Sequence, residues 1–351
     1  MTDLMHFDEA IGRATRRKRK PHVLLGNGFS IGAHPKFEYG SLYEQAREAH
    51  LPGRVDELFE EYGTTNFEAV LQRLDIGLWL ARHYGMDGLD EYAEMQNDYE
   101  ETKQALVDSI ASIHPAAATE FSDAKLQSAR LFLDNFQTIF TTNYDLLLYW
   151  SLMSGEDSWA FEDGFGRQVS HGESFLAFHG EKVDESRGSM YYLHGALHLA
   201  TVGGEVRKLA WSGSHVRIID QVQIGLDAKQ YPLVVSEGSA DHKAERIQGS
   251  GYLYRAFLEL QRVNGALFVY GHSLGEEDEH IRKAIVENTD LKVIYVGIFG
   301  NQSTYSNRKL KERAIDLILE RDRVLNSRNV NQRPLRVRFF DSGSAHVWDA
   351  S

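Results

Sequence analysis

The sequence predicts an α/β protein with a doubly wound parallel sheet and a large helical insertion. Short apolar runs recur along the chain, and segments with helical periodicity lie between them. Several of these runs end in glycine or small polar residues. In open α/β sheets the carboxyl ends of the strands carry the ligand site, so we expect a site at this edge.

Composition sets limits on the function. The chain has 351 residues, of which 42% are hydrophobic and 25% charged, and a formal net charge of −13. This length allows one large domain with an insertion or two domains, and we expect a single domain over 1–351. The acidic balance argues against direct nucleic-acid binding. The sequence contains neither a membrane-length apolar run nor a signal-peptide pattern, so we expect a cytoplasmic location.

The first predicted strand, His22–Leu25, runs into the glycine-rich loop 26–32. Glycines at such a turn let backbone amides approach a phosphate, and the following helix N-terminus favours negative charge. The pattern G-x-G-x-x-x-G is one residue longer than the Rossmann dinucleotide fingerprint. Phosphate binding and a plain strand-to-loop turn are therefore both open interpretations of this loop.

Residues 41–136 have helical patterns throughout. Such a long helical block between two strands predicts an inserted helical layer rather than a simple crossover. With it, the sequence predicts a Rossmann-like sheet that carries a large helical insertion.

The second predicted strand, Thr138–Thr141, is followed by Asn143 and Asp145, and a helix begins at Leu146. Burying an amide and a carboxylate at a strand end costs free energy unless both find partners. Ordinary turn capping could supply those partners. We favour a ligand.

A third strand, predicted over 190–193, ends in His194 and Gly195, and His198 follows. A histidine at a strand end is a candidate for acid–base catalysis, because its unperturbed pKa lies near neutral pH. A turn histidine bonded to the backbone is an equally open interpretation. A metal pair with His198 is less favoured, because no carboxylate follows at helical spacing.

The rest of the chain continues the alternation. Residues 202–223 read as strands and turns. Further strands are predicted over 231–235, 266–270, 291–296 and 335–340, and helices over 252–263 and 306–325. The strand over 231–235 is followed by Glu237, a weaker candidate base. The acids over 276–278 open a helix, where they usually complement the helix dipole.

Taken together, the strand ends resemble motifs of the sirtuin (silent-information-regulator-two-like) superfamily, and more closely its bacterial anti-phage defence branch. The family motif G-A-G-x-S resembles residues 26–30, with Asn27 replacing alanine. The motif T-Q-N-x-D resembles residues 141–145, with Thr142 replacing glutamine. The catalytic His-Gly, P-x-V-V and G-x-S motifs resemble residues 194–195, 232–235 and 271–273, in the family's order.

The resemblance implies NAD as the substrate. The catalytic residues implied are Asn143, Asp145 and His194. The implied NAD-binding residues are Gly26, Asn27, Gly28, Phe29, Ser30, Thr141, Thr142, Gly271, His272, Ser273 and Gly297. In this interpretation Asp145 accepts from the nicotinamide amide, Asn143 holds water or ribose hydroxyls, and His194 is the general base. Which of the three is the base stays open.

One departure from the family bears on function. Protein-deacylating sirtuins usually carry a four-cysteine zinc ribbon in the interval that corresponds to 196–231, and this chain has no cysteine. We therefore expect no zinc, and the acyl-lysine cleft that the ribbon helps to form is in doubt. The pattern resembles defence-associated NAD hydrolases, which deplete cellular NAD in abortive infection.

Two alternatives remain from the sequence: an NAD-dependent protein deacylase, and a catalytically silent nucleotide-binding sensor or assembly subunit. For regulation we expect a homo-oligomer, a separately encoded sensor or nucleotide-binding partner, or both. The sequence does not identify the activating trigger.

Overall fold

A seven-stranded parallel sheet organises the structure. The computed structural model describes residues 4–15, 19–49, 51, 53–154, 161–170, 173–180, 184, 186–210, 216–228, 230–235, 240–327 and 334–349. The strands of this sheet are β1 (His22–Leu25), β2 (Thr138–Thr141), β3 (Phe161–Glu162), β6 (Gly188–Tyr192), β10 (Gly265–Tyr270), β11 (Leu291–Ile298) and β12 (Arg336–Asp341). Every pairing between neighbours in the sheet is parallel.

The order of these strands is β12-β11-β10-β1-β2-β6-β3. We set aside the two-residue edge strand β3 and number the other six strands by their position in the chain. Their order across the sheet is then 3-2-1-4-5-6, the arrangement of the doubly wound Rossmann fold. The predicted fold class is therefore confirmed. The strand order reverses between β1 and β10, and in open α/β sheets ligands bind in the crevice outside the carboxyl ends of the strands at such a switch point.

Helices cover both faces of this sheet. Those described are α1 (Phe7–Ala14), α2 (Asn27–Ala33), α3 (Tyr39–Glu48), α4 (Gly53–Glu61), α5 (Phe67–His83), α6 (Asp90–Ile113), α7 (Asp123–Leu133), α8 (Leu147–Met153), α9 (Ile218–Asp227), α10 (Ala240–Gly249), α11 (Gly251–Gln261), α12 (Glu279–Glu287) and α13 (Tyr305–Ser327). Helices α2 to α7 lie in the chain between β1 and β2; most of α3 and all of α4 to α7 fall within 41–136, where the sequence predicts an insertion.

The core follows from the alternation of side chains along each strand. In β1, Val23 and Leu25 belong to one apolar cluster and Leu24 to the other. All three side chains are fully buried, as expected for parallel strands covered on both faces. The buried sheet fixes the carboxyl ends of the strands, and with them the site.

A second, antiparallel sheet has the order β4-β5-β8-β7-β9. Its strands are β4 (Phe165–Ser170), β5 (Glu173–Phe178), β7 (Gly195–Val202), β8 (Glu205–Lys208) and β9 (Pro232–Val234). The interval 196–231, which resembles the position of a zinc ribbon, thus contains most of β7, all of β8 and helix α9.

Helix α9 differs from the strands and turns predicted over 202–223. Its β-branched residues Ile218, Ile219 and Val222 favour strands by intrinsic preference. They are buried at helical spacing, however, and side-chain burial outweighs the preference.

None of the helices that the structure describes is both long enough and apolar enough to cross a membrane.

Candidate functional site

A cleft of about 620 Å³ opens at the carboxyl ends of the central strands. It is lined by nine of the predicted site residues: Asn27, Gly28, Thr142, Asn143, Asp145, Gly271, His272, Ser273 and Gly297. Apolar side chains of the helical insertion, among them Leu42 and Ile110, form part of its wall, and Phe299 and Lys309 line it elsewhere. The volume lies within the range of about 300–1,000 Å³ usual for small-molecule and cofactor sites.

The glycine loop closes the switch point by direct backbone contact. Gly26 N donates to Tyr270 O at 3.0 Å, and Gly28 N donates to Gly271 O at 2.9 Å. A Cβ atom on Gly28 would lie 2.6 Å from Gly271 Cα. Both amides therefore already donate to protein carbonyls. A phosphate bound at this loop would have to contact other groups of the loop. Phosphate binding there stays a prediction.

Four of the predicted binding residues do not line the cleft. Phe29 is buried; its carbonyl accepts from Trp348 Nε1 at 2.7 Å, and the two rings pack 4.9 Å apart. Thr141 Oγ1 accepts from Asn143 N at 3.0 Å. Phe29, Thr141, Gly26 and Ser30 are not among the residues that line the cleft. In this structure they contact other groups of the protein.

Asn143 is held in one orientation. Its Nδ2 donates to Gly26 O at 3.1 Å and to Ser30 Oγ at 2.7 Å. A backbone carbonyl can only accept, so the contact with Gly26 fixes which side of the amide is nitrogen. Both amide hydrogens are thereby used. Within the described part of the chain no donor engages Oδ1, and Asn143 lines the cleft.

Asp145 is buried beside Asn143. Its Oδ2 accepts from Ser30 Oγ at 2.5 Å, and its Oδ1 accepts from Leu147 N at 2.8 Å, at the start of α8. Burial raises the pKa of the Asp145 carboxyl, against the opposing effects of His114 and these two hydrogen bonds. Asp145 lines the cleft, as the functional interpretation expects. It also binds the first turn of α8, as the capping interpretation expects.

His114 is a neighbour of this site that the sequence did not indicate. Its Nε2 accepts from Leu146 N at 2.9 Å, and its Nδ1 lies 2.9 Å from Pro115 O, to which it donates. Burial lowers the pKa of His114, although Asp145 opposes the shift. The neutral ring thus joins the end of the insertion helix α6 to the Asp145 turn.

His194 follows β6 and is 1% exposed. It does not line the cleft. Its Nε2 lies 3.0 Å from His280 Nε2 and 3.6 Å from Asp278 Oδ1. Burial lowers the pKa of His194 well below its ordinary value, although the Asp278 carboxylate opposes this. The ring is therefore neutral at pH 7, as a general base must be.

These residues belong to a buried group, which we term the Asp278 cluster: His194, Lys243, His272, Asp278 and His280. Lys243 Nζ donates to Asp278 Oδ1 at 3.2 Å. Burial would raise the pKa of Asp278, but the Lys243 ammonium and the adjacent His272 outweigh it and hold the pKa well below the usual range. Asp278 and His272 line the cleft, so the cluster borders it.

Among the described residues, His194, Asp278 and His280 place possible metal-ligand atoms within 4.8 Å of one another. A metal ion there would have to displace the ammonium of Lys243, because a buried dication beside an ammonium is strongly repelled. His198 does not converge with His194: its ring packs against Tyr149 and Tyr192, at 5.3 and 5.0 Å.

Sequence reasoning missed Lys243, Asp278 and His280 as parts of this group. For the acids over 276–278 the sequence predicts only that they complement the helix dipole. Asp278 does hold the N-cap position of α12, but its side chain makes no capping hydrogen bond there. Lys243 and His280 lie in no recognisable motif. Glu237, the alternative base, lies outside the described residues.

Comparisons with known proteins place the chain as follows. It is similar to a solved structure described as "Structural Basis for the Mechanism and Regulation of Sir2 Enzymes", at 12% sequence identity and a TM-score of 0.35, over 91% of this chain and 99% of that one. At that TM-score the strand order described above remains the evidence for the fold. A comparison with curated proteins finds no match.

The model of one protein family matches residues 23–348, from the first strand of the sheet to the tryptophan that packs on Phe29. The match covers the cleft, the Asp278 cluster and both sheets. The chain therefore belongs to the family described as "Domain of unknown function (DUF4917)".

Proposed function

We propose that the chain is a sirtuin-like NAD hydrolase that releases nicotinamide and ADP-ribose. The observation that carries the proposal is the orientation of Asn143. With both amide hydrogens bound to Gly26 O and Ser30 Oγ, its Oδ1 is left to meet a ligand in the cleft. This acceptor lies beside the Asp145 carboxyl, in a crevice that the Rossmann-like sheet places at its switch point.

The chemistry suits these groups. Cleavage of the bond between nicotinamide and ribose passes through an oxocarbenium-like ribose, as glycoside hydrolysis does. Asn143 Oδ1 accepts from a ribose hydroxyl or from the attacking water. Asp145 accepts from the nicotinamide amide through the lone pairs that Ser30 and Leu147 leave free.

His194 is the proposed base for the water. As the structure stands, its ring does not line the cleft, whereas Tyr144 and Asp278 beside it do. Activation of water by His194 therefore requires the water to reach past these two side chains.

The proposed acceptor is water rather than an acyl-lysine. Residues 196–231 contain no cysteine and include strand and helix segments with buried apolar side chains. A zinc ribbon, which in deacylating relatives helps to form the peptide cleft, cannot be built from them in its usual form.

The test is nicotinamide release from NAD by the wild-type chain and by Asn143→Ala and His194→Ala. Removing one polar group that stabilises a transition state costs about 10²–10³-fold in kcat, and removing a general base about 10²–10⁴-fold. Asn97→Ala and His83→Ala, at exposed positions of α6 and α5, are the matched controls.

Each other outcome points elsewhere. Undiminished activity in both site variants would refute the assignment. Cleavage that depends on an acyl-lysine peptide and yields O-acyl-ADP-ribose would identify a deacylase. Tight NAD binding without turnover, with its gene neighbours present, would identify a sensor subunit.

We further propose that the hydrolase is the effector of an anti-phage defence system and acts in the cytoplasm as an oligomer or with a separately encoded sensor. This part rests on the resemblance to defence-type sirtuin relatives. NAD content is measured in phage-challenged cells that express the chain with and without its genomic neighbours. NAD that stays constant in both would contradict a depleting role.

A further inference from the structure

The Asp278 carboxylate is turned away from its own helix and into the cluster beside His194. It stands at the N-cap position of α12 without capping the helix. Its Oδ1 faces Lys243 Nζ at 3.2 Å and His194 Nε2 at 3.6 Å. A buried carboxylate that forgoes a helix cap needs other partners, and here they are one ammonium and the imidazoles.

The second carboxylate oxygen faces His272. The Nδ1 atom of His272 accepts from Leu274 N at 3.0 Å, so the neutral ring carries its proton on Nε2. That nitrogen lies 3.1 Å from Asp278 Oδ2. Lys243 therefore donates to Oδ1, and His272 Nε2 lies close to Oδ2 without completing a hydrogen bond, so both neighbours favour the ionised carboxylate.

This arrangement selects the tautomer of His194. Its Nε2 faces the Asp278 carboxylate and the Nε2 of His280. A lone pair at that nitrogen would face an anion, whereas an N–H there donates to His280 Nε2 and turns its positive end toward the carboxylate. The proton consequently sits on Nε2, His280 accepts it, and Nδ1 of His194 keeps its lone pair. Within the described part of the chain, that Nδ1 is buried without a hydrogen-bond partner, and so is the Nδ1 of His280, which in this arrangement carries the proton of its ring.

We propose that Asp278, with Lys243 as its counter-charge, is the positioning residue that holds His194 with its proton on Nε2 and Nδ1 as the proton acceptor of the reaction. The inference rests on the proposed hydrolase function. In the step, a water oxygen bonds to the ribose carbon and its proton passes to His194 Nδ1. Nicotinamide leaves with the electron pair of the broken C–N bond.

A purely structural role for Asp278 makes a different prediction. If the carboxylate only neutralised the buried Lys243, removing both charges together would restore the wild-type kcat and pH–rate profile. The pair Asp278→Asn and Asp278→Asn/Lys243→Met separates the two roles, because the double variant leaves no unpaired ammonium. Asp278→Glu is the conservative variant, and Asp290→Asn, at an exposed position after α12, is the matched control.

The expected result is a loss in kcat on the order of 10²-fold or more in both the single and the double variant, with partial recovery in Asp278→Glu. Because the carboxylate supports a protonated ring, its removal in Asp278→Asn also moves the acid limb of the pH–rate profile to lower pH. A double variant with wild-type rate and pH profile would overturn the proposal.

Nitrogen-15 NMR of the imidazoles gives a readout independent of turnover, with His194→Gln to assign the signals. The proposal expects the Nε2–H form of His194 in the wild type and loss of that preference in the double variant. A wild-type ring protonated on Nδ1 overturns it. A wild type that never hydrolyses NAD refutes the proposed function, and the tautomer measurement still decides how Asp278 acts on His194.

Discussion

Gly28 meets the strand-end loop of β10 with no room for a side chain. An added Cβ would lie 2.6 Å from Gly271 Cα, closer than Cβ atoms approach other heavy atoms in proteins. Because the atom it meets belongs to the backbone, no side chain can rotate away to relieve the clash. Gly28→Ala must therefore push the two loops apart. We expect a loss of about 1–3 kcal/mol in the free energy of unfolding, measured in urea, together with weaker NAD binding.

Gly12 supplies the matched control for this substitution. It lies inside α1, and nothing stands within 4 Å of the position of its Cβ. Gly12→Ala should raise the free energy of unfolding by up to about 1 kcal/mol, because alanine favours the helix. Equal effects of the two substitutions would contradict the account of the switch-point contact.

The sequence predicts site residues where polar types follow an apolar strand. Asn143 and Asp145 have this signal, and the structure brings both to the cleft. Lys243 and Asp278 do not: they are 35 residues apart and meet only through tertiary packing. His114 lies at the end of an insertion helix, with no local pattern that predicts its contact with Leu146.

At the scale of elements, the turn from β6 into β7 depends on Gly195. Its φ is +78°, and an added Cβ would lie 1.9 Å from Leu233 O, on the neighbouring strand β9. Gly195→Ala combines left-handed strain with a clash against backbone. We expect a loss of several kcal/mol in the free energy of unfolding, with His194 displaced.

Gly203 separates these two effects. It has a φ of +60° in the turn after β7, and nothing lies within 4 Å of its Cβ position. Gly203→Ala should cost about 1–2 kcal/mol, the strain alone. Denaturant unfolding of both variants measures the difference, and similar values would argue against the close contact with β9.

The alternation of apolar runs and helices is sufficient to predict the parallel sheet, because each of its longer strands is a short apolar run that is visible in the sequence itself. The antiparallel sheet was harder to predict. Strand β4 is glycine-containing and polar, and its partner β5 is recognised only through pairing. Helix α9 was missed because its β-branched residues give the signal of a strand.

Across the whole molecule, buried neutral histidines make stability depend on pH. Burial lowers the pKa of His22 and of His280 to about 4, and that of His198 to about 3. Between about pH 6.5 and pH 4 the unfolded chain binds protons that the folded chain does not. The free energy of unfolding should therefore fall with decreasing pH, by about 1.4 kcal/mol per pH unit for each ring.

Urea unfolding at several pH values between 7 and about 4.5 measures this slope. His22→Leu removes one buried ring and should reduce the slope by about 1.4 kcal/mol per pH unit. His83→Leu, on the exposed face of α5, serves for comparison. A free energy that stays constant over this range would contradict the assignment of these rings as neutral.

The hydrogen bond from Leu146 N to His114 Nε2 mechanically couples two parts of the molecule. The acceptor ends the insertion helix α6, and the donor lies one residue after Asp145. A displacement of α6 by about an ångström would break this bond and leave a buried backbone N–H unpaired, which costs about 1–3 kcal/mol. A partner that binds the outside of the helical insertion would thus change the geometry of the cleft without entering it. Faster amide hydrogen exchange at Leu146 would show that the bond had broken.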